Sequence, residues 1–148
     1  MKNRIETAFS QFDNGFNCAQ SVVTSFCDDL GIDKDTALRL SCGFGGGIGR
    51  KGEVCGTVTG GIIIIGAKHG KDTQGNKENM DVTYSKTREL MDFVAEKHGS
   101  YLCRTLIKDC DLTTEEGQNR FKELDLKNKV CKQCMSDVIE KVEDMLEI

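Results

Sequence analysis

Six glycines, Gly43, Gly45, Gly46, Gly47, Gly49 and Gly52, fall between Cys42 and Gly52. No regular helix or strand tolerates that density, because each interior glycine costs about 1 kcal/mol relative to alanine. The segment is therefore an irregular loop that separates two groups of elements. On both sides of it the apolar residues recur at helical spacing. Ile5, Ala8, Phe9 and Phe12 share one face, and Asn14-Gly15 ends that run. Asn17 is a good N-cap for a helix carrying Ala19, Val22, Val23, Phe26 and Leu30 up to Gly31. Asp33 or Asp35 starts a short helix through Ala37, Leu38 and Leu40.

The segment Val54 to Lys68 has two readings. Four consecutive isoleucines, Ile62 to Ile65, favour a buried strand by propensity. Gly56, Gly60 and Gly61 instead suit a buried helix packed closely against its neighbours. Its length, and the lack of a second convincing strand, favour a central helix. Beyond it a long amphipathic helix is expected from about Asp81 to His98, burying Val82, Leu90, Phe93 and Val94 and ended by Gly99. Ser100 is expected to cap the next helix, with Leu102, Cys103, Leu106 and Ile107 facing inward. Another helix starts around Leu112 to Glu116, and the last begins near Cys131 and runs through Val138, Ile139, Val142 and Met145. The expected fold is all-α: a single compact helical-bundle domain over residues 1–148, with about six to eight helices and a glycine-rich loop before a buried central helix.

With 20 Lys and Arg against 24 Asp and Glu, the net charge is −4, which excludes nucleic acid and anionic membranes as default partners. The start, Met1-Lys2-Asn3-Arg4-Ile5-Glu6, shows no secretory signal, and the apolar stretch Gly60 to Ala67 is too short to cross a bilayer. A soluble, cytoplasmic protein is expected. The eight cysteines are therefore read as metal, redox or buried residues, not as a disulfide scaffold.

Four of them share a setting. Cys18 follows the cap Asn17, Cys55 opens the central helix, Cys103 lies three residues after Ser100, and Cys131 begins the last helix. A helix N-terminus presents unpaired N–H groups that favour a thiolate over a thiol. Thiolates are both the nucleophiles of disulfide exchange and the ligands of soft metals. Cys27, nine residues after Cys18, falls on the opposite face and is assigned to the core, while Asp109 and Asp111 disfavour a thiolate at Cys110. Cys42 precedes the glycine loop and is placed to line the same site. Cys131-Lys132-Gln133-Cys134 is a CxxC, but no βαβ pattern surrounds it and no second CxxC completes a zinc site.

Gly47-x-Gly49-x-x-Gly52 matches a dinucleotide fingerprint only as a string, since no strand precedes it and Glu53 stands where a pyrophosphate would lie. The glycines are better explained by a backbone that must pass close to a group or a helix. Arg50 and Lys51 could add positive charge beside Cys55, or be solvated loop charges. His69 and His98, near helix ends, are expected to serve the dipole or solvent and are not assigned as ligands.

At Asn17-Cys18-Ala19-Gln20, at Gly43 to Arg50 and at Glu53 to Gly60 the chain resembles the C_GCAxxG_C_C family of redox-active proteins, named for spaced cysteines around a CGAxxG motif. The resemblance continues through Gly99 to Cys103, Cys110-Asp111-Leu112 and Cys131. It implies that Cys18, Cys55, Cys103 and Cys131 are the named cysteines. Through selenoprotein members of that family it also implies redox chemistry rather than structural burial. Thr57 stands where the motif has alanine and adds a hydroxyl near Cys55 that bonds the helix backbone or alters packing.

Two functions follow as expectations. In the first, Cys55 is the reactive thiol of a thiol–disulfide oxidoreductase or electron carrier, with Cys18, Cys103 or Cys131 as its resolving partner. In the second, Cys18, Cys55, Cys103 and Cys131 hold an iron–sulfur cluster or another soft metal. The redox partner is unidentified, and a homodimer is open.

Overall fold

A computed structural model describes residues 3–148; Met1 and Lys2, part of the start inspected for a signal, lie outside the described residues. The elements are α1 (Arg4–Asp13), α2 (Cys18–Thr24), α3 (Cys27–Leu30), α4 (Lys34–Ser41), α5 (Gly56–His69), α6 (Lys77–His98), α7 (Cys103–Leu106), α8 (Glu115–Glu123) and α9 (Lys132–Leu146). Among the described residues these nine helices, a 3₁₀ turn at Cys42–Phe44 and a π turn at Lys127–Cys131 make up the regular structure. Two of the nine, α3 and α7, are single four-residue turns. The only strand-like pairing among the described residues is one antiparallel bridge between Val54 and Leu102. The fold is all-α.

The caps explain most boundaries. Asn3, Asp33 and Thr114 each accept a backbone N–H of the first turn of their helix, and Asn17 forms a reciprocal capping box with Gln20. Gly31 and Gly99 end α3 and α6 in the left-handed region, where glycine is unstrained. The segment expected as one helix up to Gly31 is broken at Ser25-Phe26, because the Ser25 hydroxyl donates to the Val22 carbonyl and opens the ladder. Helix α6 starts four residues earlier than its apolar pattern indicates, since Asn76 and Asn79 form a capping box. Leu90 and Val94 are buried along it, whereas Val82 and Phe93 are half-buried.

Helix α5 is the central element. A Cβ on Gly60 would lie 2.9 Å from the Ala19 carbonyl oxygen, and one on Gly61 would lie 2.7 Å from Leu90. Glycine on two faces of α5 therefore lets α2 approach on one side and α6 with α9 on the other. Ile64 and Ile65 fill the space between, fully buried. The main core joins Ala8, Val22, Val23, Phe26, Val58, Leu90, Val94, Met135, Val138, Ile139 and Val142. Cys27 lies within it, as its helical register indicated. A smaller core forms around Cys103, Ile107, Cys110 and Leu126, with Leu112, Phe121 and Cys131 packed against it.

Candidate functional site

The glycine loop turns through positive φ at Gly46, Gly47, Gly49 and Gly52, and also at Ile48 and Arg50. It folds back on itself through Gly49 N–H to the Gly43 carbonyl and Glu53 N–H to the Gly47 carbonyl, both 2.9 Å. Asn17 ties it to α2 by donating its side-chain amide to the Cys42 carbonyl at 2.8 Å. Its far end is pinned to the start of α7: Cys55 N–H donates to the Tyr101 carbonyl at 2.8 Å, and Cys103 N–H donates to the Glu53 carbonyl at 2.7 Å. That two-sided pairing brings Cys55 and Cys103 together from positions 48 residues apart.

Gly47 shows why the loop must be glycine. At φ 70° it sits where a Cβ would lie 2.6 Å from the Cys103 Cβ and 2.7 Å from the Glu53 amide nitrogen. Left-handed strain and overlap with backbone act together, so Gly47→Ala is expected to destabilise the fold by at least about 2 kcal/mol. A urea unfolding midpoint equal to that of the unaltered protein would contradict this packing.

Cys18 is the first residue of α2, and its sulfur packs against Gly56, where any Cβ would collide with it. Cys131 and Cys134 lie three residues apart at the start of α9 and so share one face. Thr57 Oγ1 lies 3.1 Å from Cys55 Sγ and 3.2 Å from Cys134 Sγ. Five cysteines are thus divided between the two cores. Cys134 and Cys55 lie on the main-core side with Cys18, and Cys103 and Cys131 lie on the other.

Cys18, Cys42, Cys103 and Cys131 line a cleft of about 820 Å³, and Cys42 is the exposed one of the four. Cys55, 8% exposed, and Cys134, 1% exposed, lie behind that wall.

The thiols are not equivalent. Cys55 is drawn from the ordinary thiol value of 9.0 down to about 6, chiefly by the Cys134 thiol as hydrogen-bond partner. The Thr57 hydroxyl and the backbone amides of Thr57 and Val58 in the first turn of α5 act in the same sense, against the opposing effect of burial. Burial pushes Cys18 up to about 11 and Cys103 up to about 12, reinforced in both by negative charge on Cys55. Cys131 is raised mainly by burial, and Cys134 is raised chiefly by its own bond to Cys55.

Of the four cysteines expected at helix starts only Cys55 is lowered, and chiefly by Cys134 rather than by the start of α5. At Cys18 and Cys103 loss of water outweighs the N-terminal dipole, and α7 is a single turn capped by Leu102, not Ser100. The Ser100 hydroxyl accepts the Leu102 N–H instead. Cys131 is not at a free helix start: its φ of −62° and ψ of −44° continue the π turn into α9, so the dipole argument does not apply there. Arg50 lines the cleft, but the leading influences that lower Cys55 are Cys134 and Thr57. The Lys51 carbonyl accepts from Arg104 at 2.7 Å. His98 does not face solvent but pairs with the buried Asp137, Nε2 to Oδ2 at 2.8 Å. Cys134 stands out in the sequence only as the second cysteine of the CxxC, and the sequence does not assign it to the site.

These shifts have a consequence for stability. Between pH 6 and 9 an unfolded Cys55 keeps its proton while the folded one has lost it, so stability rises with pH across that window. Above pH 9 the unfolded Cys18 and Cys103 ionise while their folded counterparts stay protonated, so stability falls. Urea midpoints measured across pH should peak near 9, and in Cys55→Ser the rise from 6 to 9 should vanish. A rise that persists in that variant would place the titrating group elsewhere.

Among the described residues, no group of three or more His, Cys, Asp or Glu is arranged to hold a metal ion. As folded here, the donor set does not fit a metal centre. No helix of the described residues is long and apolar enough to cross a membrane.

Fold and site together define an all-helical protein with a thiol cluster set behind a cleft. A family model described as "Putative redox-active protein (C_GCAxxG_C_C)" matches residues 16–145, and the chain belongs to that family. Comparison with curated proteins finds no match, and comparison with solved structures finds none either.

Proposed function

We propose that this protein carries out thiol–disulfide exchange, with Cys55 as the nucleophile and Cys18 as the partner that resolves it. The observation that carries this reading is the hydrogen-bonded set Cys55, Thr57 and Cys134 behind a cleft lined by four further thiols. A low thiolate needs a donor, and the Thr57 hydroxyl can donate to Cys55 at 3.1 Å while accepting from the Cys134 thiol at 3.2 Å. Of the three candidate partners Cys18 is favoured, because its sulfur rests on Gly56, next in sequence to Cys55. The charge on Cys55 is also the leading electrostatic influence on Cys18. Cys103 and Cys131 complete the cleft wall and are second choices for the resolving role.

Alkylation of the reduced protein with iodoacetamide, followed by peptide mass mapping, tests this assignment. Cys55 is expected to be modified with a rate that reaches half its plateau near pH 6, ahead of Cys18 and Cys103 at neutral pH. Modification of Cys18 or Cys103 first, at pH 7, would sink it. The other expectation, an iron–sulfur or soft-metal centre on Cys18, Cys55, Cys103 and Cys131, has no such grouping behind it among the described residues. Iron and sulfide analysis of protein purified without oxygen separates the two, because stoichiometric iron and sulfide would make Cys55 a ligand.

A further inference from the structure

Resting on that exchange reading, we infer that the cleft takes a small anionic disulfide with an apolar body. The volume of about 820 Å³ is that of a small-molecule site, not of a flat protein-docking face. Its apolar lining comes from Phe12, Phe16, Ile107, Leu112 and Phe121. Its charged lining is Arg50, Lys122 and Lys127, and no aspartate or glutamate contributes to it. That is notable in a chain with 24 acidic residues and a net charge of −4. Lys127 is already engaged, over the Phe12 ring at 4.7 Å and beside Asp13 at 3.5 Å. Arg50 and Lys122 are exposed, and among the described residues neither has an ion-pair partner. Two uncommitted cations at an apolar cleft select a ligand carrying carboxylate or phosphate charge, and they disfavour a cationic one.

The step balances without any further reactant. The Cys55 thiolate attacks one sulfur of the ligand, the ligand S–S bond breaks, and one thiolate departs. Cys18 gives its proton to that thiolate and attacks the Cys55 sulfur, releasing the second half of the ligand as a thiolate. Two electrons have passed from the Cys55 and Cys18 pair, now a disulfide, to the ligand, now one thiol and one thiolate.

The test measures the oxidation rate of the reduced full chain by three disulfides. They are dithiobis(nitrobenzoate), which is anionic and aromatic, dithiodipyridine, neutral and aromatic, and cystamine, cationic. Each rate is divided by that of the same reagent with a free small thiol, which removes intrinsic reactivity. The expected order is anionic, neutral, cationic, with roughly tenfold or more between the extremes at low ionic strength and a much smaller gap in high salt. Arg50→Gln with Lys122→Gln should flatten the order, and Arg50→Glu with Lys122→Glu should reverse it. Equal normalised rates, or an order unchanged by these variants, would overturn the ligand assignment while oxidation at Cys55 leaves the exchange reading standing. If none of the three reagents oxidises Cys55, both readings fall.

Discussion

Cys55→Ser is expected to lower the rate of disulfide exchange at pH 7 by roughly 50-fold and to leave no intramolecular disulfide at the cleft. The size follows from the neighbours that would have to substitute for it. With Cys55 at about 6, about nine-tenths of it is thiolate at pH 7. Cys18, pushed up to about 11, is ionised in roughly one molecule in ten thousand. Its greater intrinsic nucleophilicity recovers part of the difference, because reactivity falls only as about the half power of acidity. The fold should persist, since serine is close in volume to the 8%-exposed cysteine it replaces. Stopped-flow oxidation by a neutral disulfide checks the rate, and a loss of less than threefold would assign the nucleophile to another cysteine.

The second large effect is expected at Cys134→Ala. This residue never meets the cleft, being 1% exposed and behind Cys55. Its thiol is the leading influence holding Cys55 low. Without it the Cys55 half-point should rise by about two pH units, so that the thiolate fraction at pH 7 drops roughly tenfold. Burial, the effect that opposes ionisation, is left against Thr57 and the first-turn amides alone. Stability should change little, because a buried cysteine acts as a small hydrophobe and the cavity left by one sulfur is small. The thiolate absorbance of Cys55 followed against pH reads the half-point directly. An unchanged half-point would mean that Thr57 and the helix amides suffice, and that Cys134 is only core.

These two residues also mark how far the sequence reached. Elements whose ends carry their own chemistry were legible: Asn17, Asp33, Gly31 and Gly99 are caps in the structure where the chain shows cap residues. The central helix was legible from its glycines, which only close packing on α2, α6 and α9 explains. The break at Ser25 and the early start of α6 were not, because each turns on a local side-chain hydrogen bond that the apolar period does not record.

The cysteines divide the same way. Their positions in the chain point to one site, and the structure brings Cys18, Cys103 and Cys131 to one cleft with Cys55 behind it. Their protonation could not be read from helix starts, since burial depends on the whole fold and outweighs the dipole at Cys18 and Cys103. Cys131 looked like a helix start because the π turn before it lacks an apolar pattern. Thr57 departs from the motif alanine, yet its hydroxyl sits between two sulfurs, a contact only the approach of α9 to α5 creates.

A redox titration of protein purified without oxygen reads the proposed Cys55 and Cys18 couple itself. The chain is equilibrated at graded ratios of reduced to oxidised dithiothreitol, then acid-trapped and mapped by peptide mass. The account predicts a two-electron transition in which the peptides carrying Cys18 and Cys55 become linked, while Cys27 and Cys110 stay unlinked. A chain that shows no reversible linkage at Cys55 across the whole range would contradict it.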